Sequence, residues 1–355
     1  MPDSPYEDVL GCIAPYEVTD LRAQWRAVTS DNQARSMQDL RGAYQSGVAL
    51  VLGAGVSMHA GVPSWNRLLS NIVLTIVHQK LEPGRSVSDY YQPFTTVLER
   101  CLPGDPLVAA HYAELAHRAQ GGGQFVDLVR SELYTRAPLG PPKNVLAAIA
   151  DVVRGQARQI AEGVRSVITY NFDTLLEEAL DSIHCKYDAP KRNQRAAGQG
   201  VSIYHPHGIV HRTSEAADWT ILVERDYHTE FATPHSWSNI VQLNAFSQMR
   251  CVFIGLSMTD PNLRRLLGAA KPKGETPHFA FLRRNQIGDL RKRLEPQYGW
   301  ASQHTVAADA ELDDRLLLAC EGGDAAVHLT LRELGVETIW FDRFDELPTL
   351  VRSMS

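Results

Sequence analysis

The chain has 355 residues, 44% hydrophobic and 21% charged, with a formal net charge of −6. That balance suits a folded globular protein of one large or two medium domains, and the negative charge argues against a general nucleic-acid coat. No apolar run approaches the roughly 20 residues of a membrane-spanning helix, the acidic start MPDSPYEDVLG lacks an apolar secretory core, and five scattered cysteines without a C-x-x-C fit reduced thiols in a cytoplasmic setting and no zinc ribbon.

Residues 1–18 read as irregular. Leu21, Trp25 and Val28 at helical spacing predict a helix from Thr19, and Ser36 to Tyr44 a second helix closed by Gly47. Together they form an N-terminal helical extension over 1–46, packed either on the main domain or on another copy. Val48 to Leu52 is a run of β-branched and aliphatic residues, suited to a strand buried on both faces of a parallel sheet. Gly53-Ala54-Gly55 follows at once and leads into a helix start. A strand, a glycine turn and a helix N-terminus make a cradle for phosphates. The turn departs from known fingerprints, however: Met58 stands where the dinucleotide motif has its third glycine, and no acid occurs between Asp39 and Glu82. No G-K-[ST] follows either, which removes a P-loop.

Ser64 caps a helix whose stripe of Leu68, Leu69, Ile72, Val73, Ile76 and Val77 reads as core. Residues 82–160 show no strand pattern. Asp105-Pro106 starts a helix to Gln120, Gly121 to Gly123 break it, a helix from Gln124 runs to the turn APLGPPK, and another spans Asn144 to about Gly155. Val164 to Tyr170 is the next strand, with Asn171-Phe172-Asp173 at its carboxyl end before the helix TLLEEALDSI. Asn171 and Asp173 either face a ligand at the sheet edge or cap that helix. After a polar loop at 191–200, the strand Val201 to Tyr204 ends in His205-Pro206-His207-Gly208. A histidine there is suited to proton transfer, or is structural; His205 and His207 lack a third metal ligand at a suitable spacing.

Trp219 to Val223 reads as a short strand and Ser236 to Gln248 as a helix. Cys251 to Ile254 is a buried strand ending in Gly255-Leu256-Ser257, and Asp260-Pro261-Asn262 starts a helix. His278 to Leu282 is a strand, 285–330 is mainly helical, Val336 to Phe341 is the last strand and Glu346 to Met354 a closing helix. This alternation predicts an α/β fold: a Rossmann-like parallel sheet with helices on both faces and an all-helical insertion.

Four segments, GAGVSMHAGVPSW, TYNFD, HPHG and FIGLSMTDPNLRRLL, each stand at a strand end in fixed order. The combination resembles the sirtuin-like family, over roughly residues 46–267. The resemblance implies one NAD-binding domain over 47–355, with the helical insertion at about 66–160. It implies that Gly53, Ala54, Gly55 and Ser57 hold the pyrophosphate and adjoining ribose. Asn171 would place the attacking nucleophile and Asp173 would line the nicotinamide pocket. His207 would be the general base. Gly255, Ser257 and Asp260 would lie toward the adenosine half, with Trp65 and Tyr170 also against the cofactor.

Trp65 and Tyr170 depart from the deacetylase pattern, and the four-cysteine zinc module of that branch is missing, so no metal is expected. These departures resemble the bacterial antiphage effectors that hydrolyse NAD to nicotinamide and ADP-ribose in the cytoplasm. The alternatives are a lysine deacylase, and a regulatory module that binds NAD or ADP-ribose without catalysis. No sensor domain is legible, so control of a toxic activity is expected from a homo-oligomer or from a separate partner such as a HerA-like ATPase.

Overall fold

In a computed structural model, residues 15–30, 33–81, 105–137, 144–155, 163–213, 219–270, 277–298 and 306–355 are described. The middle strand of the main sheet is Val48–Leu52 (β1), and all of its side chains are buried. The other strands are Val164–Thr169 (β2), Tyr187–Asp188 (β3), Val201–Tyr204 (β4), Gly208–Ile209 (β5), Trp219–Thr220 (β6), Arg250–Ile254 (β7), His278–Arg283 (β8) and Val336–Phe341 (β9). Seven of them form one sheet in the order β3-β4-β2-β1-β7-β8-β9, every neighbouring pair parallel. β5 and β6 pair antiparallel outside it.

The helices are Pro15–Ser30 (α1), Gln33–Ser46 (α2), Gly55–Met58 (α3), Trp65–Leu81 (α4), Pro106–Ala119 (α5), Phe125–Tyr134 (α6), Val145–Arg154 (α7), Leu175–Ser182 (α8), Glu224–Ala232 (α9), Trp237–Gln248 (α10), Pro261–Ala269 (α11), Ile287–Tyr298 (α12), Val306–Glu333 (α13) and Leu347–Arg352 (α14). The two-residue period of a strand divides them into layers. Val48, Leu50 and Leu52 of β1 join a core with α2, α4, α7, α8 and α14, while Ala49 and Val51 join a second core with Phe246 of α10, Leu263, Leu266 and Leu267 of α11 and Leu331 of α13. Burying both faces is what the uninterrupted apolar runs of β1, β7 and β8 require, and each such buried Leu or Val contributes about 1.5–3 kcal/mol.

The chain builds outward from β1 through β2 and β4, then crosses back to β7 on the opposite side of β1. β1 and β7 therefore meet at a topological switch point, where open α/β sheets form their ligand crevice beyond the carboxyl ends of the strands.

Some elements differ from the sequence reading. The first helix begins at Pro15 rather than Thr19, and the strand expected at Trp219 to Val223 is only Trp219–Thr220. It is followed by an unanticipated helix, α9, whose signal was the pair Glu224 and Asp226 in its first turn. β3 was missed because two residues carry no period. The insertion expected at 66–160 is helical at α4, α5, α6 and α7; residues 82–104, 138–143 and 156–162, with most of the APLGPPK turn, lie outside the described residues. So do residues 1–14.

Candidate functional site

The two glycine turns at the switch point pack on each other. Gly55 N–H donates to the Gly255 carbonyl at 2.9 Å, and Gly53 N–H to that of Ile254 at 3.0 Å. A Cβ on Gly55 would stand 2.8 Å from Gly255 Cα, and one on Gly255 would stand 2.6 Å from Val56 N, with Gly255 at φ +72. These two glycines thus serve the contact between β1 and β7 turns.

Ser57, one turn into α3, is 1% exposed. Asn171 Nδ2 donates to its Oγ at 2.9 Å, and that hydroxyl donates to Asp173 Oδ1 at 3.1 Å. Asp173 Oδ1 also accepts the N–H of Leu175, the first residue of α8, at 3.1 Å, which closes the chain of bonds. With Nδ2 engaged by Ser57, Oδ1 is the acceptor the Asn171 amide has to offer a ligand. Burial lifts the Asp173 carboxyl from 3.8 to about 6, against the Leu175 and Ser57 hydrogen bonds; the Glu177 charge adds to the rise and His205 opposes it.

The two histidines separate. His205 is buried behind the site, its Nε2 2.8 Å from Glu177 Oε1 and its Nδ1 3.2 Å from the Asn171 carbonyl. Burial pulls its pKa down, but the Glu177 carboxylate overrides this and leaves it raised. His207 is half-buried beside the Tyr170 ring, 4.7 Å between centroids. Burial lowers its pKa below 6.5, with Asp260 and Glu230 pulling the other way. A neutral imidazole at neutral pH is able to accept a proton. Tyr170 in turn donates its hydroxyl to Gln242 Oε1, and burial holds that phenol protonated.

A cavity of about 680 Å³ opens at these strand ends. Of the residues singled out from the sequence, Gly53, Ala54, Trp65, Tyr170, Asn171, Asp173, His207, Ser257 and Asp260 line it. Gly55, Ser57 and Gly255 do not reach its wall; they lie just behind, in the roles described. Asp260 caps α11, accepting Leu263 N–H at 2.6 Å, and its other oxygen takes the Tyr227 hydroxyl at 3.1 Å. Ser257 is exposed and bonded to Thr259 at 2.7 Å.

The sequence reading missed Asp105 and Leu107 at the start of α5, Glu224, Tyr227 and His228 of α9, and Phe172, which packs on Trp65 at 5.8 Å. The Asp-Pro at the start of α5 was legible as a cap; its place at the cavity mouth was not. A second cavity, about 590 Å³, lies by Gln33, Arg284, Trp340 and Asp345 and holds none of the motif residues. Among the described residues no group of three or more His, Cys, Asp or Glu side chains is arranged to hold a metal ion, and no helix is long and apolar enough to cross a membrane.

Residues 165–304 match the SIR2-like domain family. This match begins at β2, so the first glycine turn lies before it. The chain is also 22% identical, over 273 residues, to the NAD(+) hydrolase ThsA of Bacillus cereus (strain MSX-D12). That similarity covers 75% of this chain and 49% of the relative, so the chain spans about half the length of the curated protein it matches. Both findings show similarity, over part of the chain, to a SIR2-like domain and to an NAD(+) hydrolase, the kind of protein that the sequence motifs resemble.

Proposed function

We propose that this protein hydrolyses NAD, breaking the bond between nicotinamide and ribose to give nicotinamide and ADP-ribose. The observation that supports this reading most is the meeting of Asn171, Asp173 and His207 on one cavity at the switch point of a Sir2-like sheet. As the C1′–N bond breaks, its electron pair goes to the nicotinamide ring and neutralises the pyridinium. Water adds to C1′, and its proton leaves to a base. Asn171 Oδ1 is suited to hold the water and a ribose hydroxyl, and neutral His207 to take the proton. Positioning and proton transfer contribute on the order of 10²-fold or more each. The similarity to an NAD(+) hydrolase supports water, rather than an acyl-lysine oxygen, as the acceptor, and the resemblance carried by Trp65, Tyr170 and the sequence motifs extends the reading to an antiphage role in the cytoplasm.

Nicotinamide release from NAD, with and without an acetylated peptide, tests this. Release without peptide is expected, and Asn171→Ala and His207→Ala should each lower it about 100-fold or more with the melting temperature little changed. Release that needs the peptide would make the protein a deacylase; no release with or without it would leave an NAD-binding module, and near-wild-type turnover in both variants would overturn the roles given to Asn171 and His207. A free NAD hydrolase is toxic, so we place its control in an assembly, a homo-oligomer or a complex with a partner such as a HerA-like ATPase. Light scattering that finds a fully active monomer at nanomolar concentration would remove that part.

A further inference from the structure

The last turn of α6, in the helical region between β1 and β2, bonds to both loops of the site. Tyr134 accepts Thr174 N–H on its hydroxyl at 3.0 Å and donates to the Val210 carbonyl at 2.7 Å. Thr174 directly follows Asp173, and Val210 is the third residue after His207. One hydroxyl thus uses its acceptor and its donor on the backbones of two different loops. Those loops also touch directly, through Val210 N–H and the Phe172 carbonyl at 2.7 Å.

The contact closes into a circuit. Thr174 Oγ1 donates to Glu178 Oε1 at 3.2 Å. The Glu178 carboxylate takes Arg212 Nε at 2.7 Å and Nη2 at 3.1 Å. The Arg212 guanidinium lies 4.6 Å over the Tyr134 ring and donates Nη1 to the Ala137 carbonyl at 3.2 Å. The segment after Tyr134 reaches the first motif as well. Gly61, at φ +90, lies so close to the Arg136 carbonyl that a Cβ on it would be 2.3 Å away.

We propose that Tyr134 is a positioning residue: its hydroxyl sets the spacing between the loop of Asn171 and Asp173 and the loop of His207, so the placement of α6 governs their alignment. The consequence for turnover rests on the NAD hydrolase reading; the spacing itself does not. An α6 pulled away from the sheet would release both loops together, which makes this helical segment a handle on the site rather than only its wall.

Tyr134→Phe in the full chain is the test. It keeps the ring under Arg212 and removes the hydroxyl, leaving Thr174 N–H and the Val210 carbonyl without that partner. Amide hydrogen exchange is expected to rise in peptides covering 171–175 and 208–212 together, while β1 and β7 exchange as before. For nicotinamide release, kcat is expected to fall about 10- to 100-fold, as a small misplacement of reacting groups does, with KM nearly unchanged. Tyr112→Phe, on the exposed face of α5, should change neither readout. Faster exchange in only one loop, or in neither, overturns the proposal, as does an unchanged kcat with both loops loosened. If the wild-type chain releases no nicotinamide, the hydrolase reading falls and the exchange result alone decides the spacing.

Discussion

Replacing Asp173 with asparagine is expected to make the folded protein more stable and the site less active. Asp173 is 5% exposed, and burial is the main reason its carboxyl titrates near 6 instead of 3.8. Between those values the folded chain keeps a proton that the unfolded chain has released. The native state then binds more protons than the unfolded state, so stability falls as pH rises through that window and stays lower above it. At about 1.4 kcal/mol per pH unit, the ionised carboxylate costs the fold about 3 kcal/mol at neutral pH. Asparagine retains Oδ1 as an acceptor for Leu175 N–H and the Ser57 hydroxyl and cannot ionise. Urea unfolding from about pH 4 to about pH 7 should find the two proteins equally stable at the acid end, with the variant ahead by about 1–3 kcal/mol at the neutral end. His205, whose raised pKa makes its own contribution fade as pH climbs past 6.5, is present in both chains, and the Asp173 charge that the variant removes is the smallest of the causes raising it, after the Glu177 charge and hydrogen bond and the Asn171 carbonyl. Nicotinamide release should drop in the more stable protein. Parallel stability curves for the two chains across that range would refute the assignment of a buried, proton-holding Asp173.

Three further outcomes are expected. His205→Ala should lose about 3–5 kcal/mol in urea unfolding, because it strands the buried Glu177 charge, whose Oε2 already has no hydrogen-bond partner; adding Glu177→Gln should restore part of it, and a single variant as stable as wild type would mean the pair is not formed. Gly255→Ala combines an unfavourable φ with a Cβ 2.6 Å from Val56 N, so its yield of folded protein and its urea midpoint should collapse; wild-type behaviour would mean the two turns do not touch. Elemental analysis of chelator-free protein should find well under one zinc per chain, and a stoichiometric zinc would require a ligand set that the described residues do not form.

The main strands, the parallel architecture and the order of the motifs were legible in the sequence because each depends on short-range chemistry. Val48 to Leu52 is apolar on both faces, so it must lie inside a sheet covered on both sides. Asp105 and Asp260, each followed by proline, start helices by accepting the free amides of the first turn. Strand ends followed by Gly-Ala-Gly, Asn-Phe-Asp, His-Pro-His-Gly and Gly-Leu-Ser mark one edge of such a sheet. Side-chain partners were not legible, because periodicity identifies a buried face and not the neighbour across it. Ser57 meets Asn171 across 114 residues and Asp173 across 116. Gly55 meets Gly255 only because β7 returns to the far side of β1. His205 and His207, two residues apart at the end of β4, differ in role because Glu177 stands behind one and the cavity before the other. Tyr134 and the α9 wall of Glu224 and Tyr227 enter the site through tertiary packing, which brings segments without any motif of their own against loops that have one.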